Sequence, residues 1–416
     1  MENRAPRGTR DVLPIDSGKW QYIEGKIHKV CRQFGYFEIR TPVFEHTELF
    51  KRGIGDDTDI VQKEMYTFDD KGGRSITLRP EGTAGAVRAY LEHNLHANTS
   101  PSRLYYICSC YRYEKPQAGR LREFHQFGAE MFGAGGATAD VEAISMAVEL
   151  LVSAGLSKLN VGINSVGCGE CKSAYNNSLK EYFKGKEVCE LCQNRLERNP
   201  MRVLDCKNPH CAEIAENAPK MIDILCGECA EHFKSVQDGL AALGIDFVID
   251  SHIVRGLDYY TRTVFEITAG DIGAQNVVCG GGRYDRLVEQ FGGKPTPAVG
   301  FAMGLERLLL CLEKCDIEVP GSDSPDVYIG WIGEEGRRCA LKLAADLRGQ
   351  AISVDLEVME RSPRAQMKYA DKIGAGHSAI IGGDEVESGE FVLRDMRTGE
   401  ERKYRINDVS TKGVEI

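Results

Sequence analysis

The sequence predicts an α+β protein of more than one domain: a sheet-forming body, interrupted by a cysteine-rich insertion and followed by a small α/β domain. Three observations carry this. Helical periodicity and strand-like runs occur together up to Gly155 and resume after the cysteine-rich stretch. The composition changes sharply after Gly155, where cysteines begin to occur in close pairs. A segment of linker composition, Ile317 to Pro325, then precedes a regular alternation of strands and helices.

At 416 residues the chain is too long for one typical core. No apolar run approaches the roughly 20 residues of a membrane span, and the first residues lack the apolar stretch of a signal peptide. A cytoplasmic protein without a membrane partner is therefore expected. The formal net charge of -10 argues against a general nucleic-acid coat and leaves room for one RNA partner on a local basic patch. Fifteen cysteines, given this length and their Cys-x-x-Cys spacing, suit thiolate metal ligands better than disulfides.

In chain order, Trp20, Ile23, Ile27, Val30, Cys31 and Phe34 recur at helical spacing behind an Asp16 or Ser17 cap, and Gly35 ends that helix. Tyr36 to Glu45 alternates as a strand, but Pro42 lacks the amide that a central strand needs, which puts the run at an edge or an interface. Residues 64 to 79 read as a hairpin around Asp69-Asp70-Lys71-Gly72-Gly73. A helix follows over Ala84 to Leu95 with Glu81 and Thr83 in its first turn, where a carboxylate also serves as a simple partner for the helix dipole.

From Tyr111 to Glu130 two runs of buried-strand character are joined by a loop of Lys, Pro, Gln, Gly and Arg. Arg112, Glu114, Gln126 and Glu130 lie on them, and burying such groups without partners costs several kcal/mol. A polar ligand is the economical explanation, and an internal ion-pair network is the alternative. A further helix spans Thr138 to Ala154 and stops at Gly155.

Four cysteine pairs follow: Cys168 and Cys171, Cys189 and Cys192, Cys206 and Cys211, Cys226 and Cys229. Eight thiolates can hold two tetrahedral zinc ions. Four pairs combine into two sites in three ways, so the pairing is not legible. Reduced thiols in a small helical insertion are the competing reading.

Beyond the insertion come a helix near Phe233 to Leu243, a strand at Phe247-Val248-Ile249, and the run Arg255-Gly256-Leu257-Asp258-Tyr259-Tyr260 leading into another strand. Gly280-Gly281-Gly282 permits close backbone approach to a ligand or forms a tight strand-end turn. Ala298 to Leu310 reads as a strand, a glycine turn and a helix with Arg307 near its start, where a guanidinium can meet phosphate or simply solvate the helix end. Strands are expected near Val327, Ser353, Ser378 and Phe391, with helices near 336 to 349 and 363 to 374. No Walker or dinucleotide glycine motif is present, so ATP would be bound by another scheme.

These residues together resemble the histidyl-tRNA synthetases, a class II aminoacyl-tRNA synthetase family, almost end to end. Pro6 to Asp11 looks like the family's opening, Phe37 to Glu45 like class II motif 1, Tyr111 to Phe132 like motif 2 and Gly300 to Leu309 like motif 3. Arg255 to Tyr260 and Gly280 to Asp285 resemble the two histidine-specific signatures.

The resemblance implies a six-stranded antiparallel catalytic sheet in two parts, 1–163 and 237–320. An insertion would lie between them at 164–236, with an anticodon-binding domain at 325–416. It implies a homodimer with Pro42 at its interface. It also implies ATP with Mg2+, L-histidine and tRNA(His) as reactants and partners, and adenylate formation followed by transfer to tRNA. Arg112 matches the arginine on the α-phosphate, Arg307 that on the γ-phosphate, and Arg255 the one approaching the α-phosphate from the other side. Glu114 and Arg120 match the ATP site. Glu81, Thr83 and Gln126 match contacts to the amino acid's backbone groups, with Arg255 also near the amino acid, and Glu130, Tyr259, Tyr260 and Tyr284 match the imidazole pocket. The cysteine pairs occur in only part of the family, so zinc rests on spacing alone.

Two alternatives share the fold: a histidine-binding regulatory subunit of ATP phosphoribosyltransferase, and an RNA-binding scaffold on an inactive synthetase. Such regulatory subunits lack the C-terminal domain and the ATP arginines, whereas Arg112, Arg255, Arg307 and residues 325 to 416 are all present here.

Overall fold

The computed structural model describes residues 3–55, 58–97, 99–204, 206, 208–253, 259–270, 277–320 and 324–415. It forms two compact units, divided between Val319 and Pro320. In the first unit, α1 (Pro14–Gln33), β1 (Phe37–Glu38), β2 (Phe44–His46), α2 (Thr47–Ile54), β3 (Thr67–Asp69), β4 (Ser75–Leu78) and α3 (Thr83–Glu92) lead into β5 (Ser102–Tyr111), β6 (Glu123–Phe132), α4 (Ala137–Ser153) and β7 (Leu159–Ser165). The insertion contributes α5 (Gly169–Phe183), α6 (Glu190–Arg198), α7 (Pro209–Glu216) and the start of α8 (Gly227–Ala242). The unit closes with β8 (Phe247–Ile249), β9 (Thr261–Ala269), β10 (Val277–Arg283), α9 (Leu287–Gln290), β11 (Ala298–Gly304) and α10 (Leu305–Lys314).

The main sheet has the order β1-β5-β6-β11-β10-β9-β7-β8. Its six central strands pair antiparallel, as expected. The sheet is wider than expected because β1 joins β5 and β8 joins β7, both in parallel. Each added strand is only two or three residues long, so it borders the sheet without extending its core.

On β6 the period of two sorts the side chains. Phe127, Ala129 and Met131 enter the core beneath α1 and α4 with Ile27, Ile144 and Leu151. Gln126, Gly128 and Glu130 therefore face the opposite side. Helix α8 belongs to both parts: Cys229 lies in the core of the insertion, whereas Phe233, Val236 and Leu240 pack into the core of the sheet.

Several local expectations change. Helix α1 begins at Pro14 without a side-chain cap, because proline at the first helical position supplies the required φ and removes one orphan amide. The run around Pro42 splits between two sheets: Phe37 and Glu38 pair with β5, while Phe44 to His46 pair with β4. Gly280, Gly281 and Gly282 lie within β10 rather than in a strand-end turn. Arg112 and Glu114 fall just beyond β5, outside the ladder.

The second unit contains β12 (Val327–Trp331), α11 (Gly333–Arg348), β13 (Val354–Leu356), α12 (Pro363–Lys372), β14 (His377–Ile381), α13 (Gly383–Ser388), β15 (Glu390–Asp395), β16 (Glu401–Arg405) and α14 (Val409–Lys412). Its sheet order is β13-β12-β14-β15-β16, parallel through β14 and antiparallel beyond. Val327, Ile329, Leu343, Leu347, Ile381 and Phe391 fill its core. The strand β16 went unread in the sequence, since Glu401-Arg402-Lys403-Tyr404-Arg405 carries one aromatic among charges and lies at an edge. Among the described residues no helix is long and apolar enough to cross a membrane.

Candidate active site

A chamber of about 510 Å³ opens on the face of the sheet opposite the main core. The β5–β6 hairpin supplies Arg112, Glu114, Arg120, Gln126 and Glu130, and the N-terminus of α3 supplies Glu81 and Thr83. Tyr259, Tyr260, Tyr284 and Arg307 line the other side. Positions far apart in sequence thus meet in one cavity. Arg255 and Asp258 lie outside the described residues.

At the deep end, Glu130 is fully buried and accepts three hydroxyl donors. Thr83 Oγ1 donates to Oε1 at 2.8 Å, Tyr106 donates to the same oxygen at 3.0 Å, and Tyr284 donates to Oε2. Burial lifts the Glu130 carboxyl to about 8, against the opposing pull of those hydroxyls. Burial likewise raises the phenols of Tyr259 and Tyr284 well above their usual range, so both remain hydrogen-bond donors at neutral pH. Their rings meet edge to face, with centroids 5.5 Å apart.

Glycine makes room for this arrangement. A Cβ on Gly300 would come within 1.9 Å of Glu130 Oε2, and one on Gly128 within 2.3 Å of the Tyr106 ring. Tyr106 was not singled out in the sequence, where it looks like any other buried strand tyrosine. Its neighbouring glycine Gly82, which also has no space for a Cβ beside that ring, was the available signal.

Arg283 was also missed. Its guanidinium has no exposed surface and donates to Asp140 Oδ2 at 2.6 Å and to the Ala134 carbonyl, with Asp285 3.0 Å away. This buried ion pair ties the residue before Tyr284 to α4 and to the adjacent turn, which fixes where the phenol points.

Glu81 behaves largely as a helix cap. Its carboxylate accepts from the Thr83 amide at 2.6 Å and the Ala84 amide at 2.9 Å, while burial raises its pKa. Gln126 Oε1 accepts from the Gly82 amide at 3.0 Å, which leaves the Gln126 amide group for other partners.

Toward the mouth the groups are cationic. Arg112 donates to the Pro80 carbonyl at 2.8 Å and lies over the Phe124 ring. Glu114 sits 3.8 Å from Arg112 and 3.6 Å from Arg120, distances too long for a tight internal ion-pair network. Arg307 donates to the Val277 carbonyl at 2.9 Å. Burial and then the nearby Arg120 lower its pKa, so this guanidinium is held partly out of water and beside another cation. Such a site is suited to a polyanion.

In the insertion the cysteines gather into two groups: Cys168, Cys171, Cys226 and Cys229, and Cys189, Cys192, Cys206 and Cys211. Within each, the sulfurs lie within 4.8 Å of one another. The pairing is nested, with the second pair beside the third inside the first beside the fourth. In both groups a backbone amide donates to sulfur at 3.2 Å, from Cys226 to Cys171 and from Cys189 to Cys211. The Cys192 amide helps hold the Cys189 thiol down to about 7. Four thiols converging with amide donors fit a tetrahedral divalent ion such as Zn2+.

Comparison with known proteins agrees along the whole chain. Residues 8–308 match the family model described as histidyl-tRNA synthetase, and residues 326–415 match the anticodon binding domain. A protein named Histidine–tRNA ligase from Caldanaerobacter subterraneus subsp. tengcongensis is 54% identical over 411 residues, covering 98% of this chain and 99% of that one. Another with that name from Acetivibrio thermocellus is 52% identical over 414 residues, covering 99% of each. The crystal structure of apo S. aureus histidyl-tRNA synthetase superposes with a TM-score of 0.84 at 38% identity, covering 98% of both chains. The catalytic-unit match, the relatives above half identity and the shared fold establish that this chain belongs to the histidyl-tRNA synthetase family.

Proposed function

We propose that the chain is a histidine–tRNA ligase, which activates L-histidine with ATP to histidyl-adenylate and pyrophosphate and then transfers the histidyl group to the 3′ end of tRNA(His). The observation that carries this is the combination of Glu130, buried and held by Thr83, Tyr106 and Tyr284, with the guanidinium groups of Arg112, Arg120 and Arg307 in a single chamber.

The imidazole lies between Glu130 and the phenols of Tyr259, Tyr260 and Tyr284. A carboxyl and a hydroxyl there can read both ring nitrogens, and a ligand that leaves them unpaired is rejected by up to about 10⁴–10⁵. Thr83, Gln126 and the carboxylate of Glu81 meet the amino acid's backbone groups. The histidine carboxylate attacks the α-phosphorus, and the bond to the pyrophosphate oxygen breaks. Charge builds on the phosphoryl oxygens, where Arg112 stabilises it, with Arg255 expected on the opposite side. Arg307 holds the γ-phosphate, while Glu114 and Arg120 border the nucleotide. Mg2+ carried on the ATP phosphates would offset part of their charge. In the second step a terminal ribose hydroxyl of the tRNA attacks the carbonyl carbon, the bond to the phosphate oxygen breaks, and AMP leaves with its phosphate taking up the hydroxyl proton. Positioning supplies most of the acceleration, because little proton transfer is required.

The anticodon-type second unit and the intact arginines favour this reading over a regulatory subunit. Cys168, Cys171, Cys226 and Cys229 would hold one structural Zn2+ and Cys189, Cys192, Cys206 and Cys211 a second, since sulfur donors in a closed set of four are its characteristic environment. A homodimer is supported by the exposed apolar side chains of Phe37, Phe44 and Phe68 around the motif 1 region. A Phe37→Asp, Phe44→Asp variant that still sediments as a dimer would remove that interface. The protein works in the cytoplasm, where its tRNA partner is found.

The decisive experiment is pyrophosphate exchange with purified protein and each of the twenty amino acids. Exchange with histidine alone is expected. No exchange from folded protein overturns the assignment.

A further inference from the structure

The insertion does more than decorate the sheet. Arg195 on α6 and Arg202 in the turn Pro200–Val203 line the same chamber as Arg112, Arg120 and Arg307. Along α6 the charged residues Glu190, Glu197 and Arg198 are exposed, whereas Arg195 is half-buried. Its Nη1 donates to the Arg202 carbonyl at 2.9 Å, and among the described residues it meets no carboxylate. Met201, next to Arg202 in the chain, packs both against the insertion core and against the cluster containing Tyr259, Tyr260 and Tyr284.

The segment carrying these arginines is bounded by the ligands of the inner cysteine group. Cys189 and Cys192 begin α6, and Cys206 and Cys211 follow the turn. Fixing those four sulfurs around one ion fixes a short arm whose tip lies in the chamber. A guanidinium lining the chamber offers charge-assisted, bidentate bonds to an anion that enters it. The chamber's ligands bring phosphates.

We propose that α6 and the turn Pro200–Val203, set between the cysteines of the inner group, form a metal-organised arm that brings Arg195 and Arg202 to a phosphate of the bound nucleotide chain, either of ATP or of the tRNA 3′ end. Resting on the ligase assignment, this adds two phosphate-binding residues from outside the catalytic sheet and gives the inner metal a functional task. The outer group, Cys168, Cys171, Cys226 and Cys229, has a different one: it closes the neck of the insertion.

The test uses the full-length protein with Arg195→Ala, Arg202→Ala, and separately Cys189→Ser, Cys192→Ser. Histidine-dependent pyrophosphate exchange without RNA reports on ATP, and single-turnover transfer from preformed adenylate reports on the tRNA. The arginine variant should lose roughly tenfold or more in one of the two assays, as expected for removing charge-assisted bonds to phosphate. A raised KM for ATP identifies the nucleotide as the source, and slowed transfer with normal exchange identifies the tRNA end. The cysteine variant should lose one zinc of two by metal analysis and show the same pattern of loss. Arg195→Lys, Arg202→Lys should recover part of it, which a purely structural defect would not. Wild-type rates in both assays for the double alanine variant overturn the arm. Absent exchange by the wild-type protein would instead overturn the ligase assignment itself.

Discussion

Thr83 donates its hydroxyl to Glu130 Oε1 across 2.8 Å, joining the first turn of α3 to strand β6, 47 residues further on. The same carboxylate holds Tyr106 and Tyr284, so three hydroxyls are oriented by one buried group. Glu130→Gln keeps the volume but replaces one acceptor oxygen with a donor amide facing hydroxyl donors. Histidine-dependent exchange is expected to fall by about 10²-fold or more in kcat/KM. Kinetics over a range of histidine concentrations, with ATP saturating, measure this.

The pH dependence of stability follows from the same residue. Burial raises the folded-state carboxyl to about 8, above its value in the unfolded chain. Its contribution is therefore fully present below the unfolded pKa and is lost as pH rises through the folded value. Across pH 5 to 9 the ligand-free wild type should lose thermal stability that the Gln variant does not. The Tm difference, variant minus wild type, becomes more positive with pH, by roughly 2–4 °C per kcal/mol recovered. A flat difference would show that Glu130 is ionised at low cost.

Arg112 and Arg307 are expected to separate activity from stability. Alanine at Arg112 should reduce the exchange rate by about 10²–10³-fold, as for other preorganised groups aimed at developing charge. At Arg307 burial and Arg120 already oppose the charge, so Arg307→Met should leave Tm unchanged or higher while raising the KM for ATP. Calorimetry beside steady-state kinetics separates the two effects.

Arg283 has the opposite profile. Its guanidinium is buried between Asp140 and the half-buried Asp285, and removing it leaves the fully buried Asp140 carboxylate without that cation. Arg283→Met is expected to destabilise the first unit by about 3–5 kcal/mol, measured by denaturant titration. Asp140→Asn with Arg283→Met should recover part of that loss.

The cysteine groups predict about two zinc ions per chain by metal analysis of protein purified without chelator. Cys192→Ser and Cys229→Ser should each lose one. A folded, metal-free insertion would remove the proposal.

Much of this site was legible in the sequence because its residues contradict their surroundings. Arg112, Glu130 and Arg307 stand in or beside apolar segments, and the resemblance gave each a place in the chamber. Other features were hidden for physical reasons. Tyr106 and Arg283 act through contacts with residues distant in sequence, which no local pattern encodes. Arg195 and Arg202 look like ordinary solvated charges of a polar segment, and only the folded insertion shows them lining the chamber. The cysteine pairing had three solutions, and only the packing of α5 to α8 selects among them. Glu81 had two readings, helix cap and ligand contact; the cap is visible in its hydrogen bonds.

The nesting of those cysteine groups has a topological consequence. Cys168 and Cys171, where the chain departs from the sheet, lie beside Cys226 and Cys229, where it comes back. Everything between is a loop with coincident ends, so a few-residue bridge replacing 172–225 would preserve every strand connection of the sheet. A lineage could gain or shed such a cartridge in one step without rethreading the fold.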